Sequence, residues 1–338
     1  MKIDKKLIQN FLTLRYDPSK HPEKLTKWQN FKTTTTDFDG QITESLLLNS
    51  IKNSIPDNNK PISISLSSGI DSSLCLALLR QVFPKRKIIA ICGVFENGND
   101  ESKIAKKIAE KFSADFKILH MNSIFTNMPE IISVTKKPRW NTYNHLISKE
   151  AKKFSDYLVT GDGADELFGG YTFRYKKYNQ LSKFTDTWVT KVKNYLECHN
   201  RDWVPDQHIL FGASISFNWP SIYNYFKPYF QNKLDSLNQV MLADHNGKLS
   251  LDFIPTGKAI FQHYGIHGVP IFLNSDLISF AQKLPLIQKY DEHNFKGKLI
   301  LRKIALRLGI NHIEEKKGFS PSLLIDWENH GKEICQSI

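Results

Sequence analysis

Two short acidic, glycine-containing stretches and one lysine carry the chemistry open to this chain. The first stretch is Ser67-Ser68-Gly69-Ile70-Asp71-Ser72-Ser73. Its small side chains let several backbone N–H groups approach an anion closely, and a helix starting there adds its positive end, so the turn suits phosphate. Asp71 is out of place in a pure anion cradle. Its carboxylate repels phosphate unless a divalent cation lies between them, which points to a Mg²⁺ nucleotide rather than free phosphate. The plain structural use of these residues is a turn with Asp71 capping a helix. No Gly-Lys-Ser/Thr ends the stretch, so it is not a Walker A loop. The second stretch is Gly161-Asp162-Gly163-Ala164-Asp165-Glu166-Leu167-Phe168-Gly169-Gly170-Tyr171. Its closely spaced carboxylates, hinged by glycines, can reach the same metal-phosphate group from the side opposite Asp71. Asp165 and Glu166 also suit a helix N-terminus on their own account. Lys316, just before Gly318, is a basic group able to fold over a polyanion.

These residues need elements to position them. Ile62, Ile64 and Leu66 alternate with small polar residues as in a buried strand, and Leu74, Leu76, Ala77, Leu78 and Leu79 then switch to helical spacing. A second strand is expected over Lys87 to Phe95, a helix through Ile104, Ala105, Ile108, Ala109 and Phe112, and a third strand near Phe116 to Leu119. A helix around Leu146 to Phe154 and a fourth strand at Tyr157 to Thr160 follow. Strands alternating with helices predict a parallel α/β sheet with flanking helices, whose ligands sit beyond the carboxyl ends of the strands. Both acidic loops fall at such ends. From about Tyr175 the pattern becomes aromatic-rich and helical, with no further strand expected. Before the first strand, an irregular lead-in is expected, then a helix near Ile42 to Ile51. The expected organisation is thus a lead-in over 1–59, a nucleotide-binding α/β core over 60–172 and a mostly helical region over 173–338.

The 338 residues are 41% hydrophobic, enough for a well-buried core. Forty-six Lys plus Arg against 34 Asp plus Glu give +12, a balance that suits a polyanionic ligand. The basic residues are scattered, as at Lys103, Lys106, Lys107, Lys152 and Lys153, in the manner of solvated helix faces, so nucleic acid is not the expected partner. Four widely spaced cysteines without Cys-x-x-Cys argue against a disulfide or metal framework. No apolar run reaches membrane-spanning length, and Met1-Lys2-Ile3-Asp4 lacks the apolar segment of a secretory signal, so a cytoplasmic location without a membrane partner is expected.

The first loop resembles the Ser-Gly-Gly-x-Asp-Ser turn of ATP pyrophosphatases, with Ser68 where the first glycine stands. Taken with the second loop, residues 40 to 325 resemble the synthetase domain of the asparagine synthetase B family. The resemblance implies an adenine nucleotide α-hydrolase-like fold with a PP-loop, and ATP with Mg²⁺ as cofactors. It places pyrophosphate on Ser67, Ser68, Gly69 and Ser72, Mg²⁺ on Asp71 and Asp165, and adenosine beside the backbone of Leu66, Val94 and Gly161. It makes Asp162 the acceptor of the proton from attacking ammonia, and Lys316 the stabiliser of departing pyrophosphate or of the developing oxyanion. The implied reaction adenylates a carboxylate, most simply that of aspartate, and transfers ammonia to it.

Family members that use glutamine carry a catalytic cysteine after the initiator methionine, where this chain has Lys2. Phe11 to Tyr16 resemble the end of that glutaminase domain, so a remnant is expected, with nitrogen from free ammonia, a separate glutaminase subunit or another amine. Lys136-Lys137-Pro138 and Asn274 stand where relatives carry acidic residues. Two alternatives remain open: the same acyl-adenylate chemistry on another carboxylate and amine, as in β-lactam or peptide cyclisation, and a tRNA-modifying PP-loop ATPase. A nucleotide-binding subunit without catalysis is weighed against by the joint presence of Asp71, Asp162, Asp165 and Lys316.

Overall fold

The computed structural model describes residues 4–19, 25–95, 98, 100–137, 144–199, 218–311, 323–331 and 333–334. The chain forms two compact units, one of residues 39–162, 256–277 and 301–338, the other of residues 1–38, 163–255 and 278–300. Among the described residues, no helix is long and apolar enough to cross a membrane.

The first unit is built on a parallel sheet in the order β3-β2-β1-β4-β5. Its strands are β1 Ile62–Ser65, β2 Ile88–Phe95, β3 Asp115–Met121, β4 Tyr157–Thr160 and β5 His267–Pro270. Register runs Ile62 to Ile88 and Ile64 to Ala90 on one side of β1, and Ile64 to Val159 on the other. β2 is apolar on both faces, and β1 is buried on both although Ser63 and Ser65 alternate with Ile62 and Ile64, because helices cover the sheet. Helices α3 (Ile70–Val82), α4 (Ser102–Lys111) and α6 (Asn144–Lys152) pack on the strands, α2 (Gln41–Ser54) packs on α3, and α5 (Met128–Thr135) precedes α6 in the chain. Ile89 and Ile91 of β2 and Leu158 of β4 pack with Ile147 and Ala151 of α6, all buried.

The four expected strands and the helices between them are present. Two readings are corrected. The segment after Tyr175 does contain further strands, since β5 pairs in parallel with β4, Val159 opposite Val269, and Tyr290–Asp291 pairs antiparallel with Lys296–Gly297. The lead-in is not wholly irregular, because α1 (Lys5–Leu14) forms there, capped by Asp4, whose Oδ1 accepts from the N–H groups of Lys6 and Leu7.

The second unit is mostly helical, with one antiparallel pair of short strands, Tyr290–Asp291 and Lys296–Gly297. It contains α1, α7 (Ala164–Phe168), α8 (Thr172–Leu181), α9 (Trp188–Glu197), α10 (Trp219–Phe230) and α11 (Ser236–Asp244), with a π-helical stretch His245–Phe253 continuing α11. Its core is aromatic, with Tyr175, Tyr178, Phe226, Phe230 and Tyr290 buried around Met241. A charged group lies inside this core. The Asp244 carboxylate accepts from the Tyr195 hydroxyl at 2.8 Å and pairs with Arg174 at 3.5 Å. Burial alone would raise its pKa, but Arg174 and His199 hold it well below the usual carboxylate range.

Candidate active site

Strand order reverses between β1 and β4, since the chain leaves β1 for β2 on one side and later returns to pair β4 on the other. In an open parallel sheet this is where a crevice opens beyond the carboxyl ends of the strands. Ser67 follows β1 and Gly161 follows β4, so both sequence loops begin at that point.

The first loop is held by its own hydroxyls. The Ser67 N–H donates to Ser72 Oγ at 3.0 Å, the Gly69 N–H to Ser67 Oγ at 3.2 Å, and Ser73 Oγ donates to the Gly69 carbonyl at 2.8 Å. The Ser68 N–H instead donates to Glu101 Oε2 at 3.0 Å. A carboxylate therefore sits on an N–H of the expected phosphate cradle. Asp71 lies in the first turn of α3, where an acidic side chain is favoured by the helix dipole and stays beside the loop.

The second loop meets the first at Gly161. A Cβ built there would lie 3.0 Å from Asp71 Cβ and 3.4 Å from the Ser72 nitrogen, so a side chain at this position would push the loops apart. Asp162 Oδ2 accepts from the buried Thr160 hydroxyl at 2.8 Å, which fixes its rotamer. Asp71 and Asp162 both face the Cys75 thiol; burial first, then these two carboxylates, raise that thiol well above its ordinary value. Leu66 is buried, its N–H on the Ile91 carbonyl at 2.9 Å, and Val94 lies opposite His120 near the end of β2. The loop hydroxyls suit phosphate and the Asp71 carboxylate suits a hard cation, so the residues present fit a Mg²⁺ nucleotide.

The rest of the second loop belongs to the helical unit. Gly163 (φ 94°) and Gly169 (φ 73°) flank α7 in left-handed conformations that glycine adopts without strain. Asp165 and Glu166 are both buried. Lys298 Nζ stands 2.5 Å from Asp165 Oδ1. Gly170 permits this contact, since a Cβ there would fall 1.9 Å from Asp165 Oδ1 and 2.4 Å from Lys298 Cε. The Tyr171 hydroxyl donates to Glu166 Oε1, while burial, with Asp165 alongside, raises the Glu166 carboxyl. Arg174 stacks on the Tyr171 ring, 3.4 Å from its centroid.

The structure thus brings Ser67, Ser68, Gly69, Asp71, Ser72, Gly161 and Asp162 together at the carboxyl ends of β1 and β4. Lys316 and Pro138 lie outside the described residues. Asn274 caps the helix that begins at Ser275, its Oδ1 accepting from the Asp276 N–H at 2.9 Å, a task asparagine and aspartate perform equally. Three residues at these sites were not singled out from the sequence: Glu101, Thr160 and Lys298. Lys298 sits in a run, Phe295-Lys296-Gly297-Lys298, whose glycine signals close backbone approach, and Gly297 indeed packs on the Gly169 carbonyl. Glu101 carried no local signal.

The asparagine synthase family model matches residues 43–327, and the chain belongs to that family. A glutamine-hydrolyzing asparagine synthetase of Bacillus subtilis is 26% identical over 216 residues, which cover 54% of this chain and 33% of that protein. One of Lotus japonicus is 26% identical over 152 residues, covering 39% of this chain and 25% of that protein. The matched stretch therefore spans about a third or less of the length of these relatives. Among solved structures, an NMN synthetase of Francisella tularensis is 14% identical, covers 64% of this chain and 98% of that one, and superposes with a TM-score of 0.32.

Proposed function

We infer that the protein is an ATP-dependent, AMP-forming amide ligase that activates a carboxylate, most simply that of aspartate, and transfers ammonia to it to give asparagine. The observation that carries this reading is the meeting of Gly161 with Asp71 at the strand-order reversal, above a turn whose Ser68 N–H already binds a carboxylate.

In this reading Ser67, Ser68, Gly69 and Ser72 receive the pyrophosphate portion of ATP through N–H groups and hydroxyls. The main chain at Leu66, Val94 and Gly161 borders the adenosine. Asp71 is the carboxylate of this unit that would hold Mg²⁺, and Asp165 keeps the metal role that family resemblance gives it. When bound, the ion neutralises phosphate charge and assists departure of pyrophosphate. The substrate carboxylate attacks the α-phosphorus, the bond to the β,γ-pyrophosphate breaks, and an acyl-adenylate remains. Ammonia then adds to the acyl carbon and AMP leaves with the bonding pair. Asp162, oriented by the Thr160 hydroxyl, accepts the proton that the attacking amine sheds. Lys316 is assigned to the departing pyrophosphate or the oxyanion. Nitrogen comes from free ammonia, with a separate glutaminase subunit as an alternative supplier.

The test is to incubate the purified chain with Mg-ATP, aspartate and ammonium, omit each in turn, and measure pyrophosphate and asparagine. Asparagine that requires all components supports the assignment. Pyrophosphate released only with a different carboxylate, or only with tRNA, overturns the aspartate assignment.

A further inference from the structure

Glu101 lies far from the phosphate loop in sequence and close to it in space. It occupies the N-cap position of α4 but does not cap its own helix; Asp100 Oδ1 takes the Ser102 N–H at 2.8 Å instead. Its carboxylate is released from local duty and reaches back 33 residues to the Ser68 N–H. Ser68 is buried, so this bond lies inside the rim of the site. Glu101 also faces the buried Cys92 thiol, which burial, then Glu101 and Asp100, push up to about 12. The carboxylate is thus lodged over the carboxyl end of β2, beside the turn that is read as the phosphate cradle.

We propose that Glu101 is an internal anion of the nucleotide site: it holds the Ser68 N–H ready in the free protein and gives up that place to a phosphate oxygen when a polyphosphate binds. The proposal rests on the reading of Ser67 to Ser73 as the ATP loop and adds to it a selectivity device. One N–H cannot serve two anions well, and two anions left side by side repel. An entering anion must therefore expel Glu101. A polyphosphate does so by drawing on several loop donors at once, whereas a single phosphate has too few. Glu101 acts through Ser68 rather than on the reacting atoms, so it is a positioning residue.

The experiment is calorimetric titration of the full chain and of E101Q and E101A with magnesium pyrophosphate, Mg-ATP and inorganic phosphate. It is paired with hydrogen exchange of the peptide containing Ser68. Removing the charge releases a charge-assisted hydrogen bond that the ligand otherwise has to break, so pyrophosphate binds about tenfold tighter in E101A, with E101Q between the two. Inorganic phosphate is expected to bind E101A and not to bind the wild type measurably. In the ligand-free state the Ser68 peptide exchanges faster in E101A than in wild type, and pyrophosphate restores its protection. The near-isosteric E101Q keeps the comparison valid if E101A loses structure. Unchanged affinity in both variants overturns the proposal, and so does weaker Mg²⁺-dependent binding, which makes Glu101 a metal ligand instead. If the wild type binds neither pyrophosphate nor Mg-ATP, the reading of the loop falls, and the role of Glu101 with it.

Discussion

Lys289 is 1% exposed in the helical unit, its ammonium 5.9 Å from the centroid of the Phe31 ring. Burial lowers its pKa from 10.5 to about 7, opposed by the attraction of Asp235. In the unfolded chain the same amine titrates near 10.5. Between about pH 7 and 10.5 the unfolded state therefore binds more protons than the folded one, and stability rises with pH across that window. Below about pH 7 both states are protonated and the penalty is complete and constant. At about 1.36 kcal/mol per pH unit, the window amounts to ~5 kcal/mol. Lys289→Met removes the charge while keeping an unbranched chain of similar length. The variant is expected to be more stable than wild type at pH 7 by a few kcal/mol, with the difference closing toward pH 10. Urea unfolding of both proteins at pH 7, 8, 9 and 10, at one ionic strength, measures this directly. A Lys289→Met protein that is less stable at pH 7, or a difference that does not change with pH, refutes the reasoning.

His245, whose pKa burial lowers to about 4, makes the fold acid-labile in the opposite range. Stability drains as pH falls from 6.5 toward 4, by up to ~3 kcal/mol, and His245→Asn flattens that stretch of the pH–stability curve. Gly170→Ala drives a Cβ into Asp165 and Lys298 and is expected to lower stability by ~3 kcal/mol or more, read by thermal melting. The control is Gly265→Ala, at φ 58° with open space around it, which loses only ~1 kcal/mol. Asp162→Asn is expected to slow asparagine formation by ~10²–10⁴-fold while leaving pyrophosphate–ATP exchange intact. Thr160→Val, which loses the hydroxyl that orients Asp162, slows the same step by ~10-fold.

What was legible in the sequence was local. Strands β1, β2 and β4 are dense in Ile, Leu and Val and stand next to helical spacing, so period alone separates them. β5 escaped because His267-Gly268-Val269-Pro270 carries one β-branched residue between a glycine and a proline, and its parallel pairing with β4 is a tertiary decision. The lead-in helix was announced by Asp4 and by Leu7, Ile8 and Phe11, a short pattern easily read as irregular. The acidic loops were visible because their glycines, serines and carboxylates are consecutive. The groups that meet them were not, since Glu101 and Lys298 reach Ser68 and Asp165 from distant segments, and an isolated Glu or Lys looks like any solvated charge.

The central claim is that the paired loops activate a carboxylate as its adenylate. Exchange of labelled pyrophosphate into ATP by the purified chain, with aspartate present and ammonium withheld, tests it most directly. The account predicts exchange that requires aspartate and Mg²⁺ and that disappears in Asp71→Asn. Exchange that proceeds without any carboxylate, or persists in Asp71→Asn, contradicts it.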